Sequence, residues 1–301
     1  MSLIDFSRAS DGLGPDTMIT PEHMELRLKP ISDPEPTKVV IPTMHIREIP
    51  GAMRRMSWDV SAALMERWFE APAWTMPKEW KKKETQPEPK DIPVDHLNTS
   101  IVSMDWARSF HRCHKAMELL RQDMSNPAAI DLLQERVGAL DWAGRNSVEF
   151  GHRNMGAIEL DQRCQVNSRG FGELYDTLDD MYGALGAATL KVALIGEAVR
   201  NEWTDRTALH VTHAGFYLRD NYDFNGFQFL GTWTHGGVLT KAHMVMNTML
   251  DSMVFQWHGE PIGNVFNHDF NAFRQASGRG GDFVIYSDVH WEAIDFWIDL
   301  G

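Results

Sequence analysis

Apolar residues recur at the helical spacing of three and four through the middle of the chain. From Trp106 they keep this spacing for about six turns, which predicts one long amphipathic helix that ends near Met124. Asn126 and Pro127 follow as a typical N-cap and first-turn proline, so a second helix is predicted from there to about Leu140. Two consecutive amphipathic helices joined by a short turn predict an αα-hairpin.

Three further segments carry the same period. Residues 58–69 predict a helix with Ser57 as its N-cap. Residues 174–185 predict another, which stops at Gly186 because glycine accepts the left-handed conformation that often follows a helix. A late helix is predicted over 238–254, where apolar residues again share one face.

After Gly186 the pattern changes to short runs of β-branched and aromatic residues, which predict strands. Asn225-Gly226 is flanked by bulky residues and predicts a type I′ hairpin turn, because both of its residues accept positive φ. Strands joined in sequence order predict an antiparallel sheet. The predicted strands are residues 189–199, 208–218, 227–233, 282–289 and 290–300.

These elements predict an α+β fold, in which a helical middle segment packs on a C-terminal antiparallel, twisted β-sheet or partly open barrel. We predict three parts. Residues 1–98 form an irregular N-terminal arm with one helix (57–70) and a Pro/Lys/Glu linker. Residues 99–186 form the helical segment, and residues 187–301 form a β-rich domain with the late helix inserted.

Composition indicates a folded protein with few favourable contacts to polyanions. Of the 301 residues, 43% are hydrophobic and 11 are Trp, which is typical of a packed core. The net charge of −13 disfavours nucleic acid and anionic lipid surfaces as partners. The basic run Lys78–Lys83 is short and is followed by glutamates and prolines, so we interpret it as a solvated linker.

The sequence has neither an N-terminal apolar stretch typical of a signal peptide nor an apolar run long enough for a transmembrane helix. We therefore expect synthesis in the cytoplasm and, if the chain is exported, a route that reads no classical signal. Cys113 and Cys164 are too few for a disulfide framework, and Cys113 is expected to be a buried free thiol.

The stretch around Asp220, Tyr222 and Asp223 carries the strongest candidate chemistry. Two carboxylates that converge at a hairpin tip can hold a hard cation such as Mg²⁺ against a phosphate, with the phenol positioning the substrate. His235 and Asp282 are the candidates for assisting proton transfer. The alternative is an ordinary turn, because Asp and Asn favour turns by bonding nearby backbone groups.

Four segments resemble an uncharacterised proteobacterial family known mainly as a domain of unknown function. They are ATLKV (188–192), FYLRDNYDFN (216–225), QFLGTW (228–233) and GGDFVIYSDV (280–289). Members of that family tend to be encoded near type VI secretion spike and PAAR-type genes. The resemblance therefore implies a secreted effector or an accessory protein.

The Asp-x-Tyr-Asp pattern of Asp220, Tyr222 and Asp223 is also similar to the catalytic segment of colicin M-type bacteriocins. Those toxins cleave the pyrophosphate-linked lipid precursor of peptidoglycan with a divalent cation. Leu230 and Gly231 stand here in the region where their motif carries an essential Arg. The resemblance implies metal-assisted phosphoester or pyrophosphate hydrolysis.

The leading hypothesis is an antibacterial effector of a type VI-like secretion system that acts on cell-envelope precursors. A secretion spike or a cognate immunity protein is its expected partner. One alternative is a non-catalytic adaptor, cargo or immunity-type protein that docks through the N-terminal arm and the Met-rich late helix. Another is a membrane-perturbing toxin that uses the same late helix.

Overall fold

The computed structural model describes residues 44–82, 84–173, 176–204, 206–239 and 263–301. Within these residues the chain forms eight α-helices. They are α1 (Ile49–Arg55), α2 (Asp59–Glu70), α3 (Met104–Arg108), α4 (His111–Asp123), α5 (Pro127–Gly138), α6 (Ala157–Arg163), α7 (Asp180–Ala184) and α8 (Asn267–Ser277). Among these helices, none has the length and hydropathy of a membrane span.

The described residues also form ten strands in two sheets. The strands are β1 (Leu97–Asn98), β2 (Ser147–Phe150), β3 (Gln165–Phe171), β4 (Ala188–Arg200), β5 (Thr207–Tyr222), β6 (Phe229–Thr234), β7 (Gly237–Val238), β8 (Gly263–Phe266), β9 (Phe283–Tyr286) and β10 (His290–Asp299). The larger sheet has the order β1-β9-β5-β4-β2, with β10 also paired to β5 and β3 to β4. The smaller sheet has the order β7-β6-β8.

The predicted α+β fold is confirmed. The larger sheet is a curled half-barrel of seven strands, and helices and strands have roughly equal shares. Its strands pair antiparallel except for β1 and β9, which are parallel, so the sheet is mixed. Its centre is the long antiparallel pair of β4 and β5, which runs from Thr189 opposite Arg219 to Arg200 opposite Thr207.

One hydrophobic core contains residues from all three predicted parts of the chain. Trp68 of α2 is fully buried, and its ring contacts Phe224 at 4.9 Å and Phe270 of α8 at 5.3 Å between centroids. Met117 of α4 and Phe216 of β5 belong to the same core and are also fully buried. The helices therefore pack against the sheet in a shared core. The division of the chain into three parts stays a prediction.

The predicted hairpin at Asn225-Gly226 is wrong. The strand before it, β5, pairs with β9 in the larger sheet, whereas β6 pairs with β7 and β8 in the smaller sheet. Phe224 stacks on Phe270 with centroids 3.7 Å apart, and the Asn225 amide donates a hydrogen bond of 3.0 Å to Asp282. These long-range contacts carry the segment from one sheet to the other, which local turn preference does not reveal.

Two predicted helices are interrupted or shortened. The long stripe from Trp106 divides into α3 and α4, because Phe110 is extended with φ −97° and ψ 127°. The helix predicted over 174–185 is only α7, within the described residues. The stop at Gly186 is confirmed, since its φ is 59° and its N–H donates to the Tyr182 carbonyl at 3.0 Å.

The start of α2 also differs from the prediction. Ser57 is not its N-cap but has φ 60°, and Trp58 occupies the cap position without a side-chain hydrogen bond. In contrast, Asn126 caps α5 as predicted, accepting from the N–H of Ala129 at 2.9 Å. Apart from its first two residues, the predicted late helix (238–254) lies outside the described residues, as do residues 1–43 of the N-terminal arm.

Candidate functional site

The end of β5 places the predicted acidic and phenolic side chains on one cavity wall. Asp220 and Tyr222 are two residues apart on a strand and therefore share a face. Asp223 follows the last strand residue, and its carboxylate accepts the N–H of Asn225 at 3.0 Å, which turns the chain. This turn brings Asp223 to the same cavity as Asp220, although a continued strand would separate them.

The cavity has a volume of about 830 Å³, which is in the range of ligand sites for small molecules. It lies between the end of β5, the helices α1, α2 and α7, and the smaller sheet. Its wall is largely apolar. Side chains that form this wall include Met53, Trp58, Met65, Leu230, Trp233 and Val265.

The carboxyl of Asp220 is half-buried and faces this cavity. Burial raises its pKa well above the ordinary value of 3.8 and is the largest effect. Among the smaller effects, the hydrogen bond from the Asn221 backbone N–H lowers the pKa, the charge of Asp223 raises it and the charge of Arg219 lowers it. Asp220 therefore holds its proton to a higher pH than an exposed aspartate and can donate it within the cavity.

Asp223 has a different environment, because it pairs with the ammonium of Lys81. The Asp223 side chain is 12% exposed and that of Lys81 is 32% exposed. Lys81 belongs to the 78–83 run that we interpret as a solvated linker, and it is indeed exposed. Its ammonium nevertheless lines the cavity and pairs with Asp223, 142 positions later in the chain. Two carboxyl groups thus line one cavity in different electrostatic environments, which is typical of acid–base sites.

Tyr222 is buried, and its ring stacks on Phe283 of β9 with centroids 5.1 Å apart. Phe224 contacts the same ring edge-on at 5.4 Å. Burial raises the pKa of the Tyr222 phenol, so the hydroxyl stays protonated. Tyr222 can thus orient a ligand by hydrogen bonding without changing its charge.

Asp282 is not among the residues that line the cavity, and its surroundings are structural. Its buried carboxylate accepts hydrogen bonds from Trp68 Nε1 at 2.9 Å, the Met76 N–H at 2.9 Å, Asn225 Nδ2 at 3.0 Å and the Arg274 guanidinium. The Asp282 carboxylate thereby holds the side chain of Asn225 in place, and Asn225 does line the cavity. Proton transfer by Asp282 stays a prediction that these four contacts do not favour.

His235 is likewise not among the residues that line the cavity. Its ring Nε2 lies 3.3 Å from Glu48 Oε1, and its carbonyl accepts from the Arg55 side chain. The His235 side chain is 40% exposed. The structure thus does not bring it together with Asp220 and Asp223, and its role in proton transfer stays a prediction.

The donor set at the cavity does not fit Mg²⁺ well. Magnesium prefers anionic oxygen ligands, whereas burial raises the pKa of Asp220 and favours its protonated form, and Asp223 is paired with Lys81. Among the described residues, no three His, Cys, Asp or Glu side chains are grouped so that they can hold a metal ion. The predicted Mg²⁺ ligands Asp220 and Asp223 do share a cavity, but we derive no step through a metal.

The two cysteines are buried and free, as predicted for Cys113. Burial raises the pKa of Cys113 to about 12 and that of Cys164 to about 11. Neither thiol is therefore a nucleophile at neutral pH.

Sequence reasoning missed the residues that close the cavity around Asp220. Lys81 comes from a segment that appears solvated in the sequence, and Trp58 and Trp233 come from either side of it in the chain. The two indole rings meet edge-on with centroids 6.3 Å apart. No local pattern marks these residues, because each joins the site through contacts with distant parts of the chain.

The sequence profile of one protein family matches residues 44–300, which is more than half of the chain. The chain belongs to DUF6402, a family of unknown function. The match covers every residue of the cavity named above. No curated protein and no solved structure matches the chain. The family assignment thus agrees with the resemblance to an uncharacterised family and adds no activity to it.

Proposed function

We propose that this DUF6402 chain is an antibacterial effector enzyme that hydrolyses a substrate bound in the Asp220 cavity. The observation that carries the proposal is that Asp220, Tyr222 and Asp223 line one cavity of about 830 Å³. The raised pKa of Asp220 makes this carboxyl a suitable general acid, because it remains protonated when an exposed carboxyl has ionised.

The proposed reaction uses the two carboxyls in opposite roles. Asp220 donates its proton to the leaving oxygen as the bond to it breaks. Asp223 accepts a proton from the attacking water, and Lys81 stabilises the negative charge on Asp223 before the transfer. One water is consumed, and the proton lost by Asp220 is restored from Asp223 through solvent. Tyr222 orients the scissile group.

The scissile bond is proposed to be a phosphoester or pyrophosphate bond of a cell-envelope precursor, as the Asp-x-Tyr-Asp pattern implies. Lys81 supports this choice, since its ammonium lies at the polar part of the cavity and can contact a phosphoryl oxygen. Export through a type VI-like spike and neutralisation by an immunity protein are proposed from the sequence resemblance alone.

The experiment is expression in a bacterium, with the chain either retained in the cytoplasm or directed to the periplasm. We expect lysis from the periplasmic form only, and a loss of toxicity in Asp220→Asn and Asp223→Asn. Removing one acid or base lowers hydrolysis by roughly 10²–10⁴-fold, which is enough to abolish lysis. Asp299→Asn, on an exposed carboxylate of β10, is the matched control.

Retained toxicity in both cavity variants, at wild-type expression and melting temperature, would contradict the acid–base assignment. The adaptor and membrane-perturbing alternatives depend on the N-terminal arm and the late helix. Residues 1–43 of the arm and 240–254 of the late helix lie outside the described residues, so both alternatives stay predictions.

A further inference from the structure

We infer that the Asp220 cavity takes the linear hydrocarbon chain of an amphiphile, an acyl or prenyl chain, with the polar head group placed at Asp220. This inference rests on the proposed function and names the substrate class for the same site. It depends on three features of the cavity: where its polar groups lie, what its remaining wall consists of, and how few positive charges it contains.

Most polar side chains of the cavity come from one short stretch at the end of β5. Asp220, Asn221, Asp223, Asn225 and Gln228 all line the cavity and follow one another along the chain. This stretch therefore supplies most of the polar groups that a head group can contact.

The rest of the lining is largely apolar and adaptable. Met53 of α1, Met65 of α2 and Trp58 are buried and line the cavity, as do Leu230 and Trp233 of β6. Methionine side chains fit irregular partners because three rotatable bonds and a polarisable sulfur let them follow the partner's shape. A flexible hydrocarbon chain matches such a wall, and each buried CH₂ contributes about 0.8 kcal/mol.

The lining also disfavours an oligosaccharide of this size. Of the described residues that line it, Lys81 is the sole Lys, Arg or His, so the cavity offers one ammonium to a head group. An oligosaccharide requires hydrogen-bonding side chains on every wall, whereas here they concentrate at the end of β5.

Bromostearic acid tests the inference, because bromine quenches tryptophan emission on contact. Trp58 and Trp233 lie in the wall, so a bound chain can quench two of the 11 tryptophans, or roughly a fifth of the emission if all emit equally. We expect saturable quenching of the full-length wild-type chain, and competition by unbrominated stearic acid that restores the emission.

Two aspartate substitutions locate the binding. Leu230→Asp puts a charge on the apolar wall and should weaken binding by at least about tenfold, since a charge is costly beside hydrocarbon. Val148→Asp, at a half-buried residue of β2 outside the cavity, is the matched control and should bind as the wild type does. Circular dichroism checks that both variants remain folded.

Quenching that does not saturate, or that falls equally in Leu230→Asp and Val148→Asp, would overturn the inference. Leu178→Asp, at another half-buried residue of the cavity wall, replaces Leu230→Asp if that variant does not fold. Asp220→Asn separates the two proposals, because it should retain the bound chain and lose toxicity. Binding without Asp220-dependent toxicity contradicts the proposed function alone, and Asp220-dependent toxicity without binding contradicts this inference alone.

Discussion

Asp282 is fully buried and Asp220 is half-buried, and their carboxyls are suited to different tasks. Asp282 accepts four hydrogen bonds and pairs with the buried guanidinium of Arg274, so its charge is neutralised within the fold. Asp220 has a backbone N–H of Asn221 beside it and faces the cavity. The first arrangement stabilises an ionised carboxylate, whereas the second favours the protonated acid.

The protonated state of Asp220 predicts a stability effect with a definite sign. An acid whose pKa is raised by folding holds its proton more tightly in the folded than in the unfolded chain. Above the ordinary pKa of 3.8, stability therefore falls as the pH rises, until the raised pKa is reached. Asn cannot ionise, so Asp220→Asn should raise the melting temperature at neutral pH by a few degrees.

Thermal unfolding measured between about pH 3 and pH 8 tests this effect, because carboxyl groups titrate in this range. The gain should vanish at the acid end, where both states of the wild type are protonated. Asp299→Asn, whose carboxylate is 61% exposed, should show no such trend. A gain in Asp220→Asn that does not change with pH would contradict the burial of an acid at this position.

At the scale of elements, α2 is held at its first turn by a residue far away in the chain. The carboxylate of Asp180, at the start of α7, accepts the Ser61 N–H at 2.8 Å and the Val60 N–H at 3.2 Å. It also accepts the indole N–H of Trp106 at 3.0 Å. Because the capping carboxylate comes from a distant residue, no residue next to α2 in the sequence indicates it. The predicted N-cap at Ser57 is therefore wrong.

We therefore predict that Asp180→Ala destabilises the protein far more than Ser57→Ala. The variant loses the helix cap and the carboxylate that accepts hydrogen bonds from Ser61 and Trp106. This loss should lower the free energy of unfolding by about 2–4 kcal/mol. Asp180→Asn keeps one acceptor oxygen and should lose less. Urea unfolding measures all three variants, and equal losses in Asp180→Ala and Ser57→Ala would contradict this account of the helix start.

Elements that are defined by contacts between sequence neighbours could be predicted from the sequence, whereas features that depend on distant residues could not. The helix α5 and the strands β4, β5 and β10 were predictable, because local caps and the alternation of residues define them. The interruption at Phe110 was not, because the apolar stripe continues through it. The passage of the chain from β5 to the smaller sheet was not predictable either, because it depends on residues that are distant in sequence and meet only in the fold.

At the scale of the whole molecule, the candidate site joins parts of the chain that sequence reasoning separates. Asp220 and Asp223 were predictable as a pair, since they are neighbours. Lys81 and Trp58 were not, because they belong to the segment predicted as an irregular arm. The cavity exists only when α1 and α2 pack against the strands, so the site and the core depend on the same contacts.

This dependence predicts that the β-rich segment 187–301 does not fold when expressed alone. It would lack Trp68, whose ring packs edge-on against Phe224 and Phe270 and whose indole N–H donates to Asp282. The exposed apolar surface and the unpaired buried carboxylate both favour the unfolded chain. A fragment of residues 44–301 retains these contacts and should unfold cooperatively in urea. Dispersed amide signals and a cooperative transition in 187–301 alone would instead establish it as an independent domain, and the cavity would then lie at a boundary between two separately folding parts.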